Sequence, residues 1–212
     1  MDNYSYRRDV QYVKFIFRKL KKRRSIYALG KNVKLSEDEI TEIIEEAIRQ
    51  SPSAFNSQSI RAVILYGKAH DELWDGILDI LHGEVPNEEA FKATKAKVEG
   101  AFKAGLGTVL FYTNEDVIAD LKKNFPLYKD AFDMFGEHGM GIANVDVWTA
   151  LANEGIGASL QHYNPIADKF IAEKFDIPAN WTLKAQMPFG SIEQPAGDKE
   201  FMPDDERFRV IK

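Results

Sequence analysis

Four short apolar runs, each standing alone between segments of helical spacing, constrain this chain most. Arg61 to Tyr66 is bounded by Gly67, Thr108 to Thr113 reads TVLFYT, and Ala158 to Gln161 and Leu183 to Phe189 complete the set, the last closing with Gly190. Short apolar runs bounded by turn residues are the pattern of strands buried on both faces. The segments between them carry helix signals. Ser36 and Glu39 form a capping box ahead of Ile40, Ile43, Ile44, Ala47 and Ile48, and Pro52 ends that helix. Leu73, Trp74, Ile77, Leu78 and Leu81 share one helical face, and 87–103 continues with Phe91, Val98 and Phe102. Asn114 caps a further helix with Glu115 and Asp116 in its first turn. The aromatic stretch 125–135 fits no single period. From about Gly141 to Asn153 a helix is apolar on more than one side, which predicts a central position. Asn164-Pro165 reads as N-cap and first residue of a short helix, and the tail after Pro195 as polar and extended. Long helices between single strands predict an α+β sandwich, one domain over 1–212, with a central mixed sheet flanked by helices.

The N-terminal segment, with apolar spacing at Val10, Val13, Phe17 and Leu20 and Ile16 beside them, predicts an amphipathic helix ending near Lys22 with one buried stripe. Residues 1–24 carry +7 and the remaining 188 residues −12, so the net −5 hides a concentrated basic end. Six cations stand between Arg18 and Arg24, interrupted only by Leu20. Such a cluster takes an anion or water.

Several chemistries are excluded or left without support. The chain has no cysteine, which removes disulfides, thiolate nucleophiles, iron–sulfur clusters and thiolate zinc sites. The four histidines show no paired ligand spacing, so no metal is expected. Glycine pairs at 105/107, 139/141 and 155/157 lack the third glycine of a dinucleotide fingerprint, and neither a P-loop nor a nucleophile elbow occurs. No apolar run reaches the roughly 20 residues of a membrane span, and the start lacks a signal peptide's apolar middle, so a cytoplasmic protein is expected.

Two polar segments remain. In KKRRSIYALG, Arg23 and Arg24 could each donate paired hydrogen bonds to a phosphate and Ser25 a further one, although the same residues also read as a solvated basic helix end. SPSAFNSQ, residues 51–58, offers hydroxyl and amide groups suited to a polyol chain or a heteroaromatic edge, and equally an ordinary turn. In this order and about thirty residues apart, the two segments resemble the nitroreductase family of flavin mononucleotide (FMN)-dependent enzymes. NEGIGASL at 153–160, after a long apolar helix, is similar to that family's central helix and its glycine turn, and Arg207 to its late basic residue. Tyr27 and the NPIADKF segment look closest to a compact subgroup with yeast fatty-acid-repression and copper-induced bacterial members.

The resemblance implies that Arg23, Arg24 and Ser25 hold the phosphate and ribityl chain, completed by Arg207. It implies that Pro52, Ser53 and Asn56, with Gln58 nearby, approach the flavin from the partner subunit of a homodimer, the FMN lying at the interface. It implies that backbone at Gln161, His162 and Tyr163 passes the reactive edge, where a main-chain N–H meets N5. The activity implied is NADH- or NADPH-dependent reduction of nitroaromatic or quinone-type acceptors by alternating hydride transfer through N5, with no catalytic side chain. Two departures stand out: Tyr27 replaces a frequent lysine or arginine, and Ser59-Ile60 a frequent Pro-Trp. A backbone amide or helix terminus is then expected to supply the positive end that Tyr27 does not. Phe125, Tyr128, Phe132, Phe135 and Tyr163 are candidates for a lid over an aromatic acceptor, or else for core. Two rivals stay open: a nucleic-acid or acidic-membrane binding module using the basic helix, which the −12 body of the chain opposes, and a flavoenzyme of the same fold with another acceptor. Neither nucleic acid nor membrane is expected as a partner.

Overall fold

A computed structural model describes residues 14–212. The elements are α1 (14–22), β1 (Ala28–Gly30), α2 (Glu37–Gln50), β2 (Ile60–Tyr66), α3 (Gly67–Glu84), α4 (Glu88–Val98, continued by a π turn Glu99–Lys103), β3 (Gly107–Asn114), α5 (Glu115–Asn124), α6 (Phe132–Asn153), β4 (Gly157–Ala158), α7 (Asp168–Lys174), β5 (Trp181–Gln194) and α8 (Asp204–Arg207). The sheet runs β1-β5-β3-β2, with β4 also on β5. All four strand pairings are antiparallel, and the parallel contact is a single bridge, Ser25 to Ala158.

β3 is buried along almost its whole length, and its side chains alternate between two clusters. Val109 and Phe111 join Ile40 and Ile44 of α2 and Met140, Val147 and Leu151 of α6. Leu110 and Tyr112 join Leu73, Trp74 and Ile77 of α3, Phe102 and Ile171 of α7. Helices therefore cover both faces. Local signals set their starts: Ser36 and Glu39 close the capping box, and Asn87 and Asn114 accept N–H bonds at the heads of α4 and α5.

The structure departs from the sequence reading in several places. The stripe of α1 is not buried: Ile16, Phe17 and Leu20 are 56%, 54% and 47% exposed, and Phe17 and Leu20 line an open groove with Lys199 and Phe201 of the tail. Val10 and Val13 lie outside the described residues. α6 begins at Phe132, not Gly141, and takes up the end of the aromatic stretch. The third strand is confined to Gly157–Ala158, after which one bridge, Gln161 to Gln186, continues the pairing. Asn164 caps nothing, as its side-chain oxygen has no partner; 164–167 form turns and α7 starts at Asp168. β5 runs on to Gln194, where its polar end pairs with β1.

Candidate functional site

The cationic turn follows α1 directly and is pinned at each step. Lys22 Nζ donates to the carbonyl of Asn153 at 2.7 Å, the Arg23 guanidinium lies 4.5 Å from the Trp148 ring centroid, and Arg24 donates to the carbonyl of Gly197 at 2.7 Å. Ser25 bridges to Ala158, and the Ile26 N–H donates to the Ala158 carbonyl at 2.9 Å. The turn therefore runs beside the strand that leads into 159–163. Close approach here depends on Gly157, whose added Cβ would press on Ile26 and Ile192. Lys21, Arg23, Arg24 and Lys199 share a groove with Phe17, Leu20 and Phe201, a surface that joins cationic and apolar contacts. Tyr27 is exposed next to this turn.

The Pro52–Gln58 loop lies further along α6. Gln58 N–H donates to Ser53 Oγ at 2.9 Å, and Phe55, Asn56 and Gln58 all have positive φ (56°, 50° and 50°), a conformation that costs a non-glycine residue energy. Phe55 is held by aromatic neighbours: ring centroids of Phe125, Phe132 and Tyr128 lie at 4.6, 5.6 and 5.9 Å. Pro52, Ser53 and Ala54 line a cavity with Phe135, His138, Gly139 and Ile142. Gly139 borders the loop, and a Cβ there would meet Ser53 Cβ at 3.8 Å, an ordinary contact. Ser59 and Ile60, at the positions where Pro-Trp is frequent, are buried; Ile60 starts β2, and the Ser59 carbonyl just before it accepts the Asn114 N–H at 2.8 Å.

The third segment is 159–163. Gln161 N–H donates to the Gln186 carbonyl at 2.7 Å, Gln186 N–H returns a bond to the Gln161 carbonyl at 2.9 Å, and Tyr163 N–H donates to Gln186 Oε1 at 2.8 Å. His162 is exposed.

The structure thus brings Arg23, Arg24 and Ser25 beside the strand leading to Gln161, His162 and Tyr163. It places Pro52, Ser53, Asn56 and Gln58 elsewhere on α6. Gly139 and Trp148 are nine residues apart, about 13 Å along a helix axis. Arg207 does not line the cationic groove; it is exposed at the end of α8 with its guanidinium 5.6 Å from the Phe208 ring. Of the lid candidates, Phe125, Tyr128, Phe132 and Phe135 form one chain of rings, whereas Tyr163 packs against Trp74 and Phe102 in the other core. Sequence reasoning passed over Phe55, Trp148 and Gln186. A phenylalanine between turn residues and a lone glutamine in an apolar strand carry little periodic signal; Trp148 reads as core.

Fold and candidate site together define an α+β sandwich in which a cationic turn, a strained polar loop and an aromatic cluster pack along one helix, α6. The Nitroreductase family model matches residues 20–191, and the chain belongs to that family. It is 36% identical over 185 residues to HBN1 of Saccharomyces cerevisiae, covering 86% of this chain and 91% of that protein. The nitroreductase CinD of Lactococcus lactis, solved in complex with 4-nitrophenol, superposes with a TM-score of 0.84 at 47% identity, over 93% of this chain and all of CinD. A Desulfitobacterium hafniense nitroreductase with bound FMN shares the fold at a TM-score of 0.64 and 17% identity, over 92% of this chain and 97% of that one.

Proposed function

We propose that this chain is an FMN-dependent oxidoreductase that takes electrons from NADH or NADPH and reduces nitroaromatic or quinone-type acceptors, acting as a homodimer. The observation that carries the reading is the Ser25 to Ala158 bridge, which sets the Arg23-Arg24 turn alongside the strand that continues into 159–163. Two segments more than 130 positions apart, both matching the family's flavin contacts, become neighbours.

The donor set fits such a cofactor. Arg23, Arg24 and Ser25 would hold the phosphate, and Ser53, Asn56 and Gln58 offer hydroxyl and amide groups for the polyol and ring edges. When bound, the flavin supplies the hydride chemistry. The chain's own residues would bind, orient and exclude water: Phe55, Phe125 and Tyr128 present rings on which a flat acceptor can stack, and a main-chain N–H of 161–163 would meet the reactive edge. Binding of 4-nitrophenol by CinD supports the acceptor class.

The homodimer is supported by apolar side chains that the described residues leave uncovered. Met134, Ile142 and Val145 are exposed on α6, as are Phe15, Ile16, Phe17 and Leu20 on α1 and Phe201, Phe208, Val210 and Ile211 in the tail. Surfaces of that extent mark interfaces. Both half-sites lie along α6, so a second copy seated there can bring its loop to the first copy's cationic turn.

Purified protein should be yellow, release FMN on denaturation and oxidise NADH or NADPH when a nitroarene or quinone is added. A colourless preparation that takes up no FMN and shows no such oxidation ends this reading.

A further inference from the structure

Gln186 is fully buried in the middle of β5, opposite Leu110 of β3. Its main chain exchanges both hydrogen bonds with Gln161, and its side-chain oxygen accepts the N–H of Tyr163. The amide orientation follows from chemistry, because an N–H can meet only the oxygen. The Nε2 group is then left buried without a partner among the described residues, a cost that an apolar side chain of the same size would avoid. Between the two engaged amides lies the N–H of His162, which has no partner among the described residues.

We infer that Gln186 is a positioning residue for the cofactor edge: by occupying the amides of Gln161 and Tyr163 it leaves the His162 N–H as the free main-chain donor of this stretch and fixes its direction. The inference rests on the FMN reading above and narrows its 161–163 contact to one atom. Bonds of 2.7 and 2.8 Å on either side hold the intervening peptide, so the donor is set in place before any ligand arrives. The imidazole of His162 plays no part in this, because the contact belongs to the backbone.

Residue-resolved amide hydrogen exchange on the full-length protein, with and without FMN, tests the assignment without any substitution. The amides of Gln161 and Tyr163 should exchange slowly in both states, and that of His162 fast without FMN and at least about tenfold slower with it. An indifferent His162, or a Tyr163 protected only when FMN is present, overturns the inference while leaving the flavin reading intact. Wild-type protein that takes up no FMN overturns both. A second readout is the nitrogen-15 resonance of FMN labelled at N5. Gln186→Met, which removes the acceptor, should move it toward its position in free FMN, and Gln186→Glu, which keeps an acceptor oxygen, should restore it. A purely structural role would lower the melting temperature of Gln186→Met and leave the N5 resonance unmoved, and that result sinks the proposal.

Discussion

The guanidinium of Arg23 stands 4.5 Å from the Trp148 ring centroid, and this contact ties the cationic turn to α6. Lys22 on the Asn153 carbonyl and Arg24 on the Gly197 carbonyl add two more fixed points. A basic helix end that merely faced solvent would hold none of them. The turn is ordered in advance of any anion, which lowers the entropy cost of binding one.

Removing the ring should therefore be felt in cofactor affinity before it is felt in the fold. Trp148→Leu forfeits a cation–π contact of about 0.5–1 kcal/mol, equivalent to roughly a two- to fivefold weaker FMN dissociation constant. Arg23→Ala with Arg24→Ala removes the proposed phosphate donors and, on the proposed reading, should abolish FMN retention without changing the oligomeric state. Flavin fluorescence titration and size-exclusion chromatography measure the two quantities, and loss of the dimer with FMN still bound contradicts the assignment.

His70 predicts an acid limit to stability. It is fully buried, Nε2 donates to the Lys103 carbonyl at 3.1 Å, and Nδ1 accepts from Thr108 Oγ1 at 2.9 Å, which in turn accepts from Trp74 Nε1 at 3.0 Å. Burial pushes its pKa below 6.5, only partly offset by the Lys103 carbonyl bond. The unfolded chain thus binds the proton first as pH falls. Stability is fully present above about pH 6.5 and lost progressively below it, down to the depressed folded value. His70→Gln should flatten this part of the denaturation profile, and Thr108→Val should cost about 2–4 kcal/mol by orphaning two buried groups.

How far the sequence foretold this arrangement depends on whether a residue's role is local. β3 was legible because it is central, and burial on both faces writes an unbroken apolar run; β2, at the sheet edge and only partly buried, was legible from its own short apolar run ending at Gly67. β1 was not, for three residues, Ala28–Gly30, carry no period and find their place only by pairing with the polar end of β5. The first half of α6 was hidden by its glycines. Gly136 serves there as a close-packing position against Ile118, where a Cβ would lie 3.1 Å from Cδ1, and neither it nor Gly139 breaks the helix. Of the candidate site, the arginines and the polar loop were singled out by their resemblance to the family's segments, since by residue type alone they also read as a solvated helix end and an ordinary turn. Trp148 and Gln186 were not, because each acts through a partner remote in sequence.

Phe55 offers a test of strain against packing. At φ 56° an L side chain is disfavoured by about 1–2 kcal/mol, and three aromatic rings within 6 Å keep it there. Phe55→Ala loses the rings and keeps the strain, whereas Phe55→Gly loses the rings and relieves it. Chemical denaturation should rank Phe55→Gly more stable than Phe55→Ala by about 1 kcal/mol, the reverse of their order at an ordinary helical or strand position. Equal stabilities would show that the loop relaxes once the ring is gone.

Gly190 is where the sheet admits the cationic turn. It pairs with Gly157 across β4 and β5, and a Cβ there would run into the Gly30 carbonyl of β1 and come within 3.0 Å of the Leu106 N. Backbone, unlike the end of a flexible side chain, cannot swing aside, so Gly190→Ala must push β1 off β5 and carry Arg23, Arg24 and Ser25 with it. The expected cost is about 1–3 kcal/mol of stability together with weakened FMN retention. Ile192→Ala provides the contrast: that side chain is 42% exposed beyond the crossing, and truncating it leaves the β1 backbone on the strand. If calorimetry and flavin titration find Gly190→Ala as well behaved as Ile192→Ala, then the turn is held by its contacts to Trp148, Asn153 and the tail, and the sheet's close approach at Gly190 is not what positions the proposed phosphate donors.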